Sequence, residues 1–290
     1  MKTLVIGATG RVAGALTRRL VLDGASVRAL VRSREKAVAA FGETVEIVEG
    51  AFDDRSVLAR AFEDADVAFL ALGTSQEQAA LEKGVIDGAR RADVPQLIRL
   101  SVLGADKARD TAFYEVARRH GELDAYLAAS GLPHTILRPS YFMSNLLSRA
   151  PLIAGNDRWF GAAPTGRASM IDTRDIADAA ARIMQDKALH NAAYDLTGAE
   201  TLSFPDAAKV LSKVLHRKIS YIALDETTLR NNLATRIPAW LANIAVGIDL
   251  AIEAGLQNRV TNTLERLTGS ASRTLANFIR DNKAAFSAAA

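Results

Sequence analysis

Leu4-Val5-Ile6-Gly7-Ala8-Thr9-Gly10-Arg11-Val12-Ala13-Gly14 is the stretch whose reading decides the fold. Residues 4–6 are an unbroken apolar run, the pattern of a parallel strand buried on both faces. Gly7 follows at once, and from Arg11 onward Val12, Leu16 and Leu20 recur four apart, which predicts an amphipathic helix. A strand, a glycine turn and a helix start together make an anion site. Backbone N–H groups converge there and the helix dipole favours negative charge. The dinucleotide fingerprint uses glycines for a tight turn, for close pyrophosphate approach and for helix–strand packing. Gly7, Gly10 and Gly14 are spaced GxxGxxxG rather than GxGxxG, with Ala13 small enough for the packing role. Turns recruit glycine anyway; it is the strand before and the helix after that turn this one into an expectation of dinucleotide binding.

Length and composition bound the rest. The chain has 290 residues, enough for one large domain or a domain with a smaller lobe, and its 49% hydrophobic and 24% charged content is that of a globular protein. It has no cysteine, which removes disulfides, thiolate nucleophiles and thiolate metal sites, and no metal centre is expected. A strand beginning at Lys2 leaves no room for a leader, and the apolar stretch from Ile237 to Leu256 is interrupted by Asp249 and Glu253. The expectation is a cytoplasmic protein with no membrane partner. A net charge of +3 with scattered basic residues argues against nucleic acid.

Outward from the opening stretch, strand and helix patterns alternate. Ser26–Val31, Val45–Val48, Asp66–Leu72 and Gln96–Leu100 read as the second to fifth strands. Helices are expected between them, one entered through an Asp54 N-cap and another over Gln78–Ala92. This alternation predicts an α/β fold with a doubly wound parallel sheet of Rossmann type, with ligands at the carboxyl ends of its strands. NAD-preferring folds place an acidic residue just past the second strand. Here Arg32 stands there, with Arg34 and Lys36 behind it, and Arg11 within reach of the same phosphate. A guanidinium grips a 2′-phosphate through paired, charge-assisted hydrogen bonds, so NADP(H) is expected ahead of NAD(H), against the plainer reading of a solvated basic loop. Phe52 either lies against the adenine or plugs the sheet edge. Gly73, closing the fourth strand, allows close approach of the cofactor.

Three side chains are candidates for chemistry. Ser101 follows the fifth strand on the ligand side, where its hydroxyl either bonds a substrate carbonyl or nicotinamide amide or merely caps a turn. The next helix carries Phe113, Val116, His120, Leu123 and Leu127 at steps of three and four, placing His120 on the sheet-facing stripe. His120 is there either as a core histidine or as a general acid, since imidazole titrates near neutral pH. Gly131 ends the helix, and a sixth strand runs to Pro139. Beyond it Ser140-Tyr141-Phe142-Met143-Ser144-Asn145 either wall the nicotinamide end, with Tyr141 as the third candidate, or begin a second lobe. Tyr114 is followed four residues later by Arg118, so a Tyr-x-x-x-Lys pair is absent. That disfavours an epimerase-type enzyme.

GATGRVAG, ALVRSREKA, SGLPHTILRPSYFMSN, SMIDTRDIADAA, YDLTGAETLSFPDAA and VTNTLERLTGSASRTLANFIRDN, spread over nearly the whole chain, resemble the NmrA-like family of atypical short-chain dehydrogenases. The likeness is greatest to its NAD(P)H-dependent quinone and dye reductases. The resemblance implies cofactor contacts at Gly7, Thr9, Gly10, Arg11, Val12, Arg32, Leu72, Gly73 and Ser101, and we add Arg34, Phe52, His120 and Pro139. It places His120 where relatives carry an active-site lysine. It also implies a nucleotide domain over 1–140, with 169–198 returning to the sheet, and a small substrate lobe over 141–168 and 199–290. Two departures stand out: Gly50-Ala51 replaces Gly-Asp, and His120 replaces lysine.

In the expected lobe Ser169–Asp172 reads as a strand entering a helix capped by Asp172 or Thr173, with Asp175 as an anchor in its first turn. Ala193–Leu196 and Lys218–Leu224 read as strands, and Pro205 sits in the first turn of a helix. Pro238, Trp240, Leu241, Ile244 and Ile248 make an apolar face that either roofs the ligand or is ordinary core. The expected function is reduction of a small hydrophobic conjugated acceptor by NADPH, in a monomer or homodimer. The rival from another class is a non-catalytic NADP(H)-sensing regulator.

Overall fold

The structure, a computed structural model, describes residues 1–110 and 114–287. Phe113, read above as part of a helical stripe, lies outside them. The central sheet contains β1 (Lys2–Ile6), β2 (Ser26–Val31), β3 (Glu46–Glu49), β4 (Val67–Leu70), β5 (Leu97–Leu100), β6 (His134–Pro139) and the later strand Ala193–Leu196. Their order across the sheet is β3-β2-β1-β4-β5-β6 and then Ala193–Leu196. Each pairing from β3 to β6 is parallel, with Ile6 opposite both Leu30 and Leu70, and Leu100 opposite Leu137. The order reverses between β1 and β4, the switch point at which a doubly wound sheet opens a crevice at its carboxyl ends.

Two compact units make up the chain, one formed by Met1–Ser101, Arg119–Arg138 and Thr173–Tyr194, the other by the remainder. In the first, α1 (Arg11–Leu22), α2 (Arg34–Phe41), α3 (Arg55–Phe62), α4 (Gln78–Arg91) and most of α5 (Glu115–Ala129) are the crossovers. The strands are apolar because both their faces are covered: Leu4, Val5, Ile6, Leu30, Phe69 and Leu70 are fully buried. On α1 the four-residue spacing is realised, with Val12, Leu16 and Leu20 inward. The same helix packs against Thr173–Gln185, tied at the rim by an Arg19–Asp178 ion pair of 2.6 Å. Asp54 caps α3 by accepting from Ser56 N and Val57 N, as its position predicts.

Strand ends differ from the sequence reading by one or two residues. The third strand runs Glu46–Glu49 rather than Val45–Val48, and the fourth stops at Leu70 rather than Leu72. Asp66 drops out of β4 because its carboxylate accepts the Lys2 N–H at 2.6 Å. Two charged side chains sit buried inside the sheet, each interrupting an apolar strand, Arg28 on β2 and Arg99 on β5. Arg28 is satisfied by Glu46 at 2.7 Å and by carbonyls at the end of α3.

The second unit is built on a separate core. Trp159, Phe204, Tyr221 and Tyr141 pack edge-on with centroids 4.9–5.8 Å apart. Its small strands pair Arg158–Gly161 with Ser220–Ala223, and Arg167–Ala168 with Leu202–Ser203. Ser203 closes a capping box with Asp206 ahead of Pro205 in the Phe204–Leu215 helix. Ser169–Asp172, expected as a strand, is none. Its backbone groups find scattered partners, Ser169 N on the Gln257 carbonyl and Ile171 N on that of Tyr141, and only one bridge, Phe142 with Ile171, joins it to a neighbour.

In the Ala239–Glu253 helix the most buried residues are Ala242, Val246, Asp249, Ala251 and Ile252. Of the apolar face expected there only Ile244 is buried; Trp240, Leu241 and Ile248 are half-exposed and Pro238 is exposed. The displacement has an ionic cause: Asp249 turns inward to meet the half-buried Arg149, 3.2 Å away, and the Ala162 N–H at 3.0 Å. Among the described residues no helix is long and apolar enough to cross a membrane.

Candidate active site

Because β1, β2, β4 and β5 run parallel, Gly7, Arg32, Leu72, Gly73 and Ser101 all leave the sheet at one edge. Gly7 has φ +80°, and a Cβ there would lie 2.4 Å from the Ala71 carbonyl oxygen, so only glycine lets the β1 turn pass this close to the end of β4. The turn is tied by Gly7 N to Leu30 O at 3.0 Å and Gly10 N to Gly7 O at 2.8 Å. It delivers Thr9, Gly10 and Arg11 to the surface and buries Val12. Whereas α2 and α3 are finished by Ser33 and Asp54, α1 starts at Gly10 with no side-chain cap and no acidic residue in its first turn. Its first N–H groups therefore suit a pyrophosphate, and the residues present fit a dinucleotide.

The end of this edge beside β2 is cationic. Arg32 is exposed, with its guanidinium 5.9 Å from the centroid of Phe52. Phe52 itself is 7% exposed and belongs to the core between sheet and helices, so the plug at the sheet edge is its position and the ring offers little face to a base. Arg34 is less available than its sequence position implies. It donates to the Ile47 carbonyl at 3.3 Å, and its backbone N–H is taken by the Glu49 carboxylate at 2.9 Å.

The other end is a buried polar network that periodicity alone does not reveal. Arg99 has no exposure, and its guanidinium donates through Nε to Glu82 at 2.8 Å and through Nη1 to Asp124 at 2.5 Å. Its Nη2 lies 3.0 Å from His120 Nδ1. Gln78 holds the other Glu82 oxygen at 2.9 Å. Ser101 Oγ donates to Asp124 Oδ2 at 3.0 Å, and Arg138 reaches the same oxygen at 3.4 Å. Two guanidiniums thus face two carboxylates, a balance that such depth demands. Burial pushes the Glu82 carboxyl upward, with Arg99 opposing.

His120 is 8% exposed and is held well below its ordinary value of 6.5, first by burial and then by Arg99 and Arg119. At neutral pH the ring is uncharged. Of the two readings, core histidine or general acid, the surroundings weigh against a charged ring: a guanidinium lies on one side, and among the described residues no carboxylate bonds the imidazole. Ser101 is likewise narrowed. Its hydrogen is committed to Asp124, because a carboxylate only accepts, so the hydroxyl keeps only acceptor capacity for any ligand.

Pro139, Tyr141 and Tyr114 belong to the second unit. The Pro139 carbonyl accepts from Leu103 N at 2.8 Å. Tyr141 is 6% exposed and lies edge-on to Phe204 in the core of its own unit. Tyr114 is pushed above the ordinary phenol range by burial, and its hydroxyl accepts from Gln257 at 3.0 Å.

The NmrA-like family model matches residues 1–278. The chain belongs to the NmrA-like family. Among curated relatives, a (4-alkanoyl-5-oxo-2,5-dihydrofuran-3-yl)methyl phosphate reductase of Streptomyces griseus is 32% identical over 98% of both chains. The NAD(P)H azoreductase of Xenophilus azovorans is 28% identical over 99% of both. Among solved structures, an Escherichia coli NADPH-dependent quinone oxidoreductase complexed with NADPH has a TM-score of 0.88 and 25% identity, covering 97% of this chain and 99% of its own. The negative transcriptional regulator NmrA in complex with NADP has a TM-score of 0.78 at 20% identity and shares the fold.

Within this NmrA-like chain the residues missed from sequence are Glu82, Arg99 and Asp124. One signal was present. Arg99 is a charge inside the apolar strand Leu97–Leu100, and a buried strand cation requires carboxylates nearby. Asp124 stands four residues after His120, one turn along the same helix face.

Proposed function

We propose that this NmrA-like chain is an NADPH-dependent oxidoreductase that reduces a small, hydrophobic, conjugated acceptor of quinone, dye or enone type. The observation that carries the reading is that one edge of the sheet holds both an uncapped helix start behind Gly7 and a buried polar group ending in Ser101 and His120. The reductase relatives, matched over nearly their whole length, support it.

When bound, NADPH supplies the hydride. The chain does the rest. N–H groups from Arg11 to Ala13 hold the pyrophosphate, and Arg32 takes the 2′-phosphate with an exposed guanidinium. Ser101 offers a lone pair to the carboxamide NH2. His120 donates a hydrogen bond to the acceptor atom on which negative charge develops. An acceptor that takes hydride readily needs little acid catalysis, which suits a site with no charged acid at the ring.

NADPH oxidation against a panel of quinones, azo dyes and enones tests the reading. Turnover with at least one class is expected. Tight NADPH binding with no turnover on any acceptor would instead favour a regulator that senses the nucleotide.

A further inference from the structure

We propose that Arg99 is a positioning residue that fixes His120 in one tautomer, Nδ1 bare and Nε2 protonated, so that the ring serves as a hydrogen-bond donor and not as a source of protons. Its part in the reaction rests on the reductase reading, whereas the tautomer does not. The argument starts from what a guanidinium lacks. Arginine carries five N–H donors, no lone pair, and does not lose its proton in a protein. The 3.0 Å approach of Nη2 to Nδ1 is therefore a hydrogen bond only if Nδ1 presents its lone pair. Protonating Nδ1 would set two N–H groups head to head around a side chain with no access to water.

Arg99 has no freedom to turn away. Its Nε is held by Glu82 at 2.8 Å and its Nη1 by Asp124 at 2.5 Å, while Gln78 anchors Glu82 in turn. The charged groups disposed around the ring are Arg99 from β5, Glu82 from α4, Arg138 from β6, and Arg119 and Asp124 on α5 itself. Both carboxylates are engaged by guanidiniums, and neither bonds the imidazole. With Nδ1 spent on Arg99, the ring's one proton sits on Nε2, which makes no hydrogen bond among the described residues.

The chemical consequence concerns where the proton comes from. Hydride addition forms a C–H bond on the acceptor and leaves an electron pair on its oxygen or nitrogen. The Nε2–H steadies that charge without being transferred, and water supplies the proton that completes the reduction.

Two-bond 1H–15N correlation on the full-length labelled protein tests this directly, with His120→Gln identifying the ring among the four histidines. A bare Nδ1 and protonated Nε2, unchanged from pH 8 to about 5.5, are expected, against an ordinary midpoint near 6.5. The opposite tautomer, or titration near that midpoint, would overturn the proposal. Arg99→Met combined with Glu82→Gln removes a cation and a carboxylate together. It should give a mixed-tautomer ring that titrates higher than in the wild type, burial still holding it below the ordinary value, and a kcat that has become pH-dependent, while KM for NADPH stays within about twofold. Arg99→Lys keeps the charge but loses the fork, and it should also give a mixed ring. A wild-type tautomer in either variant would remove Arg99 from the role. A locked ring in a protein that reduces nothing would sink the reductase reading alone, and turnover with a freely titrating ring would sink this one alone.

Discussion

The proposed preference for NADPH over NADH rests on a single guanidinium. Arg32 is exposed at the end of β2, while its neighbour Arg34 is partly spent on Ile47 and Glu49. Charge-assisted bonds of this kind contribute about 1.5–3 kcal/mol, or roughly 10- to 100-fold in affinity. Arg32→Asp is expected to weaken NADPH by that factor and to leave NADH the better ligand, read by calorimetry with both nucleotides. His120→Ala should lower kcat by about 100-fold, the loss typical of one preorganised donor, with KM for NADPH nearly unchanged. His120 also fixes a pH slope. Its folded value is depressed, so the stability it contributes is fully present above about pH 6.5 and is lost as pH falls toward that depressed value. Denaturant unfolding should show a decline of up to about 1.4 kcal/mol per pH unit just below pH 6.5. His120→Gln should flatten that part of the curve. Position made His120 and Arg32 readable in the sequence. Their states were not, because each depends on partners tens of residues away.

At the level of elements, periodicity carried the strands of the first unit to within one or two residues and the bounds of α4 to within one. It succeeded where a strand is covered on both faces or a helix has one wet side, and Val12, Leu16 and Leu20 illustrate the second case. It failed at Ser169–Asp172, where the apolar pattern is real but the backbone pairs with Gln257 and Tyr141 instead of a neighbouring strand. In Ala239–Glu253 the face read as either roof or core is mostly half-exposed, and the buried side includes Asp249. The β1 turn is the element most sensitive to change. Gly7→Ala forces a side chain against the Ala71 carbonyl at positive φ, and a cost of about 1–3 kcal/mol is expected in chemical denaturation. The same variant should lose most of its NADPH affinity, because the N–H groups of α1 are aimed by that turn.

At the scale of the whole molecule, each unit contains an arginine paired with a buried carboxylate, fully buried at Arg99 and half-buried at Arg149, a feature composition cannot disclose. In the second unit Arg149 lies over Trp159 and Phe204, 5.3 and 5.8 Å from their centroids, and pairs with Asp249. Asp249→Asn strands a cation among aromatic rings and should cost about 3–5 kcal/mol in thermal or denaturant unfolding. Replacing both partners, with Arg149→Met and Asp249→Leu, should recover most of that loss. The bare start of α1 has a different reach. A protein whose first helix is completed by its ligand couples its own survival to nucleotide supply. At a hundred times Kd, NADPH would add about 2.7 kcal/mol to the folded state. Proteolytic lifetime, and with it cellular abundance, should then track the total pool of NADP+ and NADPH even when no acceptor is being consumed.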